Sequence, residues 1–219
     1  MFIHSPENQG WLRTKWQALV SSVNAHHASS DAVWDELIRH YSEPHRSYHN
    51  LSHIMVLLRY AETHRHQINR LETVEFAIWF HDVIYDTHLK DNERRSAEWA
   101  RRAMVAMQID EHHIPPVMEC IVATERHEVT SPRIADLPLF LDMDLSILGA
   151  KESVYKQYSE VIRAEYSWLP IEEYRVARGK FLQRFLEKPS LFFTTAMAAD
   201  LEHQARINLE SELRELSHI

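Results

Sequence analysis

The feature that most constrains the fold of this chain is its lack of turn residues. The chain has 3 glycines and 8 prolines among 219 residues. An all-β or α/β chain needs more of both, and runs that alternate with a period of two are also scarce here. Apolar residues instead recur three and four positions apart, so the sequence predicts an all-α fold. Helices are predicted at about 10–27, 31–41, 50–68, 72–84, 92–108, 115–126, 137–148, 151–167, 170–188 and 190–216.

Size and composition favour a single domain. With 45% hydrophobic residues among 219, the chain is long enough to bury a substantial core. It contains no repeat, low-complexity tract or long linker. We therefore expect one domain over 1–219, as a monomer or homodimer, with the helices of 151–219 packed on the remainder.

Charge and cysteine content narrow the partners and the compartment. A formal net charge of -8 gives no general basic field, which argues against nucleic acid and acidic membranes as partners. The one cysteine, Cys120, excludes an internal disulfide and fits a reducing compartment, and its apolar surroundings predict a packed, inert thiol. No stretch has the features of a signal peptide or the length of a membrane span. We expect a cytoplasmic protein.

Two histidines four positions apart, His49 and His53, are the first candidates for chemistry. If the helix predicted from residue 50 begins slightly earlier, both imidazoles lie on one side of it. Such a pair suits a metal ligand with a proton donor beside it. The chain has 16 histidines, however, and a chance pair at this spacing is not rare.

The dipeptide His81-Asp82 is a stronger signal because of the residues that precede it. It follows the nearly continuous apolar run 75–80, which should be deeply buried. A histidine and an aspartate at the end of a buried helix cost several kcal/mol unless they pair or bind something. The dipeptide therefore indicates a site, and imidazole and carboxylate are groups that commonly bind a divalent metal.

The order of these residues resembles the HD-domain superfamily of metal-dependent phosphohydrolases. The pattern is His53, then His81-Asp82, then Asp144, and the resemblance covers about residues 40–150. It implies that these four side chains bind a divalent metal ion. The superfamily mostly hydrolyses phosphomonoesters, phosphodiesters or pyrophosphates of nucleotides, so the resemblance also implies a phosphohydrolase.

The resemblance implies a fold as well as a reaction. The superfamily is all-helical, which predicts a compact multi-helix HD-domain bundle with additional helices at 151–219. Segments 91–97 and 140–145 are most similar to a group of small bacterial proteins described only as predicted HD phosphohydrolases. Asp144 is preferred to Asp142 as the ligand because the two lie roughly 200° apart around a helix and cannot both face one ion.

Further similarities suggest roles in catalysis. Segment 48–53 is similar to the part of cyclic-nucleotide phosphodiesterases whose first histidine protonates the leaving group, which implies that His49 is the general acid. The stretch containing Asp82 resembles guanosine tetraphosphate hydrolases, and Asp82 is a candidate to help take the proton of the attacking water. Tyr85 stands where those enzymes have a catalytic Glu, so neither mechanism transfers whole. Asp86 is a candidate to orient the water, or alternatively stabilises a turn.

Five weaker candidates complete the predicted site. In binuclear relatives a histidine from the region of His127 binds a second metal, and the alternative is compensation of a helix dipole. Arg46 is a candidate for binding a substrate phosphate, unless it is a surface residue. Tyr85, Asn92 and Glu93 are candidates for contact with substrate or a second metal, although helix capping is the simpler explanation of the last two.

The expected function is hydrolysis of a phosphate ester or anhydride, of a nucleotide or a small phosphorylated metabolite, by metal-activated water. Mixed imidazole and carboxylate ligands favour Mn, Fe, Co, Ni or Zn over Mg, as one ion or two. Two alternatives remain. One is a di-iron oxygenase of the HD type, and the other is a non-catalytic helical interaction module that a metal stabilises.

Overall fold

The computed structural model describes residues 5–217, and over that range the chain is all-α, as predicted. Ten α-helices occur in the described range, with three short 3-10 turns and no strand. None of these helices is both long enough and apolar enough to cross a membrane. The helices are α1 Pro6–Ser22, α2 His27–Tyr41, α3 Leu51–Thr63, α4 Leu71–Phe80, α5 Asn92–Ala106, α6 Ile114–Ala123, α7 Leu137–Asp144, α8 Glu152–Glu165, α9 Ile171–Leu186 and α10 Thr195–Ser217.

The chain separates into two units, Met1–Phe140 and Leu141–Ile219. The boundary between them falls inside α7. The expectation of a single domain stays a prediction, and each unit is described by itself.

Helix α4 is the centre of the first unit. It packs against α1, α3, α5 and α6, and every residue from Phe76 to Phe80 is 0% exposed. A helix that is apolar all round is stable only when other elements surround it. The predicted burial is confirmed for 76–80, whereas Glu75 is only partly buried, and the helix ends where His81-Asp82 begins, four residues earlier than the sequence predicted.

The start of α4 is capped by a carboxylate from a distant part of the sequence. Asp136 accepts hydrogen bonds from the backbone N–H groups of Asn69 and Arg70, at 2.9 and 2.8 Å, and from the Asn69 side chain at 2.8 Å. These donors would otherwise lack partners within the helix. Asp136 is buried. Through these hydrogen bonds it holds the N-terminal end of the helix whose other end carries the candidate site.

Helix α10 organises the second unit by packing on α8, α9 and the 3-10 turn Leu145–Gly149. The turn approaches α10 so closely that a Cβ atom on Gly149 would lie 2.6 Å from Cβ of Leu201. The side-chain amide of Asn208 donates to the carbonyl oxygens of Leu148 and Ala150, both at 2.8 Å. Helix α10 thus fixes the segment that directly follows Asp144.

Asp142 also serves the second unit rather than a metal site. Its carboxylate is completely buried and accepts hydrogen bonds from the backbone N–H groups of Phe193 and Thr194, at 2.7 and 2.8 Å, and from the Thr194 hydroxyl at 2.6 Å. It therefore caps the start of α10. These contacts agree with the preference for Asp144 over Asp142 as the predicted ligand.

Candidate metal centre

Three of the predicted ligands meet at one point of the first unit. Nε2 of His53, on α3, lies 3.1 Å from Nε2 of His81. Oδ2 of Asp82 lies 3.0 Å from the His81 nitrogen and 3.8 Å from the His53 nitrogen. Over residues 5–217, this is the one group of three or more potential ligands whose binding atoms all lie within 4.8 Å of one another.

These separations suit a transition metal. The circle through the three ligand atoms has a radius of about 2.0 Å, close to the usual metal–nitrogen and metal–carboxylate distances of about 2.0–2.2 Å. One ion can therefore reach all three atoms without movement of the backbone. Two imidazole nitrogens at 3.1 Å also require a proton or a cation between their lone pairs. The residues present fit a divalent ion.

The tautomer of His81 prepares it for this role. Its Nδ1 lies 2.9 Å from the carbonyl oxygen of Ile78. Because a carbonyl only accepts, Nδ1 carries a ring proton, and Nε2 is the nitrogen left to bind a metal beside His53 and Asp82. His81 is 1% exposed, so water does not compete with this arrangement.

The carboxyl group of Asp82 is surrounded by imidazoles. Burial by itself would raise the pKa of Asp82, but the neighbouring His81, His49 and His53 outweigh burial and hold that pKa well below its usual value. Asp82 is consequently anionic at neutral pH, the form in which a carboxylate binds a metal.

The loop that carries Asp82 is held by side chains from α5. The Ser96 hydroxyl accepts from the N–H of Ile84 at 3.0 Å and donates to its carbonyl at 3.2 Å. The Asn92 amide makes the same two-way contact with the backbone of Asp86, at 3.1 and 2.9 Å. Asn92 therefore binds the loop, which differs from the helix-capping role that the sequence favoured. Ser96 lies in the segment 91–97 that carries part of the resemblance, but sequence reasoning assigned it no role, because neighbouring residues do not reveal a partner 12 positions away.

Arg46, from the segment before α3, also binds this loop. Its guanidinium donates to the carbonyl oxygens of Asp82 and Val83, at 2.6 and 2.9 Å, and to that of His49 at 3.1 Å. The side chain is 0% exposed. The contacts therefore give Arg46 neither of the roles foreseen from the sequence, since it is not a surface residue and its guanidinium faces backbone rather than an open cleft.

Asp86 stabilises a turn in the loop. Its Oδ1 accepts the backbone N–H of His88 at 2.9 Å and lies 2.9 Å from the ring Nδ1 of the same residue. The hydrogen bond from that N–H lowers the pKa of Asp86, and the contact with the ring acts in the same direction. Of the two roles considered for Asp86, these contacts support the turn rather than the orientation of water.

His49 approaches the ligands from a turn and not from a helix. Helix α3 begins at Leu51, and the Asn50 side chain caps it by accepting the N–H of Ser52 at 2.9 Å. The possibility that the helix begins before His49 is therefore wrong. A capping asparagine directly before the apolar residues was the signal that could have placed this boundary.

Aromatic rings hold His49 beside the site. Its ring centroid lies 6.0 Å from that of His53 and 4.2 Å from that of Tyr85, with the rings of His49 and Tyr85 stacked at 29°. His45 lies 2.9 Å from the Tyr85 carbonyl through its Nε2. Tyr85 thus contacts the predicted acid directly, a role that its position in the sequence did not reveal.

Glu93 interacts electrostatically with both Asp82 and His127. Burial raises the pKa of Glu93, and the negative charges of Asp82 and Glu125 raise it further, while His127 lowers it. His127 follows the end of α6 by four residues and has a φ of 49°, which is unusual for a residue with a side chain. It is therefore not in the last turn of that helix, and a second metal at His127 and Glu93 stays a prediction.

Asp144 is the last residue of α7, belongs to the second unit and is partly buried. Its role as the fourth ligand stays a prediction.

Cys120 is completely buried, and burial raises the pKa of its thiol to about 12. The expectation of a packed thiol is confirmed, and its inertness stays a prediction that the raised pKa supports.

Comparison with known proteins adds no relative to this description. No protein-family model matches the chain, and no curated protein or solved structure is significantly similar to it.

Proposed function

We propose that this protein is a metal-dependent phosphohydrolase that cleaves a phosphate ester or anhydride of a nucleotide or a small phosphorylated metabolite. The observation that carries the proposal is the convergence of His53, His81 and Asp82, with Nε2 of His81 directed at the other two. The sequence resemblance to the HD superfamily supports the class of reaction. It is also the sole ground for adding Asp144 to the ligands.

The chemistry is divided between the ion and the neighbouring side chains. A divalent ion at these ligands supplies Lewis acidity, which activates water and neutralises charge on a phosphate. His49 donates a proton to the leaving oxygen, for which its position beside His53 is suited. Asp82 helps to accept the proton of the attacking water, and Tyr85 orients the ring of His49 by stacking.

The ligand set also bears on which metal and which substrate are bound. Two imidazoles with a carboxylate favour Mn, Fe, Co, Ni or Zn over Mg. With a net charge of -8, the chain has no general attraction for polyanions, which supports a small phosphorylated molecule rather than nucleic acid.

The proposal is tested by metal analysis and a substrate screen. Purified full-length protein is analysed for bound metals, then assayed with Mn²⁺ or Co²⁺ against nucleoside monophosphates, cyclic nucleotides, pyrophosphates and sugar phosphates. We expect hydrolysis of at least one class, and a loss of about a hundredfold or more in metal affinity and in activity for His81→Ala and Asp82→Ala.

A matched control is available at the surface. His112 pairs with Asp110 at 2.6 Å, and both side chains are exposed. His112→Ala should keep the metal and the activity of the unmodified protein. Equal metal content in the His81→Ala and His112→Ala variants, or metal binding without turnover of any substrate class, would contradict the proposal.

A further inference from the structure

Arg46 is one of the few charged side chains buried in the first unit. Its side chain is 0% exposed. Burying a guanidinium is costly unless its N–H groups find acceptors and its charge is balanced. The Glu43 carboxylate, 3.0 Å from Nε, provides the balancing charge. The other hydrogen-bond acceptors of the guanidinium therefore indicate why Arg46 is buried.

Those partners belong to two segments that are far apart in sequence. One is the carbonyl of His49, at 3.1 Å, in the turn before α3. The others are the carbonyls of Asp82 and Val83, at 2.6 and 2.9 Å, in the loop after α4. A guanidinium is rigid and planar, so it fixes the relative position of the acceptors that share it.

Aromatic rings restrict the guanidinium itself. Its central carbon lies 5.2 Å from the ring centroid of Tyr41 and 5.4 Å from that of Tyr85. The Tyr41 hydroxyl in turn donates to the carbonyl of Trp79 at 3.0 Å, within the central helix. The side chain is consequently held by the core and by the ring that stacks on His49.

We propose that Arg46 is a positioning residue that couples the turn carrying His49 to the loop carrying Asp82. It sets the separation of the predicted acid from the predicted metal ligand without touching the substrate. The coupling follows from the contacts of Arg46, whereas its consequence for catalysis rests on the proposed function.

Hydrogen exchange measured by mass spectrometry tests the coupling in the full-length protein, whether or not it is an enzyme. Arg46→Ala should speed exchange in both segments, 43–50 and 82–86. Ser96→Ala removes a contact to the loop alone, so it should affect 82–86 and leave 43–50 unchanged. Asp136→Asn weakens the distant cap of α4 and should affect neither. If Arg46→Ala does not fold, Arg46→Lys takes its place, because an ammonium lacks the planar fork.

Cobalt binding tests the effect on the site. Arg46→Ala should weaken Co²⁺ affinity by about 10–100-fold, the usual effect of losing a group that orients metal ligands, and should alter the visible spectrum of bound Co²⁺. Added guanidinium ion should restore part of both signals. Asp136→Asn should retain the spectrum, because it destabilises the helix without reaching the site.

Each result decides one of the two ideas. Unchanged exchange in either segment of the Arg46 variant overturns the coupling. An equal loss of Co²⁺ affinity in the Asp136 variant also overturns the positioning role, because both losses would then reflect general destabilisation. Absence of Co²⁺ binding in the unmodified protein overturns the proposed function, while faster exchange in both segments would still support the coupling.

Discussion

The ring Nδ1 of His81 lies 2.9 Å from the backbone carbonyl oxygen of Ile78, three residues earlier on α4. His81 itself retains helical dihedral angles, with φ -58° and ψ -38°, although the helix ends at the residue before it. The geometry of the helix end therefore selects the tautomer of a proposed metal ligand. A metal-binding histidine usually donates its other ring N–H to a group that fixes the ring. For His81 that group is the backbone carbonyl of Ile78 and not another side chain.

The His53–His81 pair should bind metal at a cost to the stability of the metal-free protein. Without a cation, two ring nitrogens 3.1 Å apart in a buried place need a shared proton. We expect His53→Leu to abolish stabilisation by Mn²⁺ or Co²⁺ while leaving the metal-free protein as stable as before, or more so. Thermal unfolding with and without metal measures both effects. Metal-dependent stabilisation in His53→Leu equal to that in a His112→Leu control would refute this role of His53.

Tyr85 should act through its ring rather than its hydroxyl. The stack on His49, at 4.2 Å between centroids, survives in Tyr85→Phe and is lost in Tyr85→Leu. We expect the phenylalanine variant to keep near-normal turnover, and the leucine variant to lose about 10–100-fold in kcat because its proton donor is misplaced. Metal affinity should be equal in both, and equal kcat values in both would show that stacking is irrelevant.

Glu75 should make the protein less stable as the pH rises. Burial raises its pKa from 4.5 to about 7, Glu62 and Glu72 add to the rise, and Lys15 and Arg65 oppose it. Since the folded state binds the proton more tightly than the unfolded state, stability should fall between about pH 4.5 and pH 7 and stay lower above that range. Glu75→Gln should therefore be more stable by about 1–3 kcal/mol at pH 8, after allowance for partial exposure. Urea unfolding at about pH 4, below the unfolded-state pKa, where the two proteins should converge, provides the control.

Gly149 should tolerate no side chain. A Cβ atom there would lie 2.6 Å from Cβ of Leu201 and 2.9 Å from its carbonyl oxygen, and backbone does not yield easily. We expect Gly149→Ala to cost about 1–3 kcal/mol in the free energy of unfolding. Two helical glycines serve as controls: Gly10 has nothing within 4 Å, and Gly179 has only a Leu213 methyl at 3.8 Å. Alanine at either should be neutral or stabilising by up to about 1 kcal/mol, and a similar response at all three positions would contradict the close approach at Gly149.

Different signals in the sequence predicted the helices and the candidate site. The nearly continuous apolar run at the end of α4 predicted a buried helix, and the cost of burying His81-Asp82 after it indicated a site before any geometry was known. Boundaries were less accurate, since α3 begins after its capping residue Asn50 and not before His49. Both kinds of signal are local, which is why a single sequence contains them.

Arg46, Ser96 and Asp136 show what a sequence does not contain. Each was assigned no role or the wrong one, because each has partners that are distant along the chain: Arg46 and Asp82 are 36 positions apart, and Asp136 and Arg70 are 66 apart. Residue type alone does not reveal whether a guanidinium faces a phosphate or a backbone carbonyl, since both are acceptors.

The sequence by itself determined that this chain is helical and that the apolar run before His81 is buried, and its resemblance to the HD superfamily indicated His53, His81, Asp82 and Asp144 as metal ligands. The helices and the buried run follow from spacing and from the free energy of burial, which act along the chain. Only the tertiary structure decided that the ligand atoms of His53, His81 and Asp82 share a circle of about 2.0 Å radius, that Ile78 selects the tautomer of His81, and that Arg46 joins the turn to the loop. Distances between separate segments depend on how the helices pack, and packing is a property of the folded chain alone.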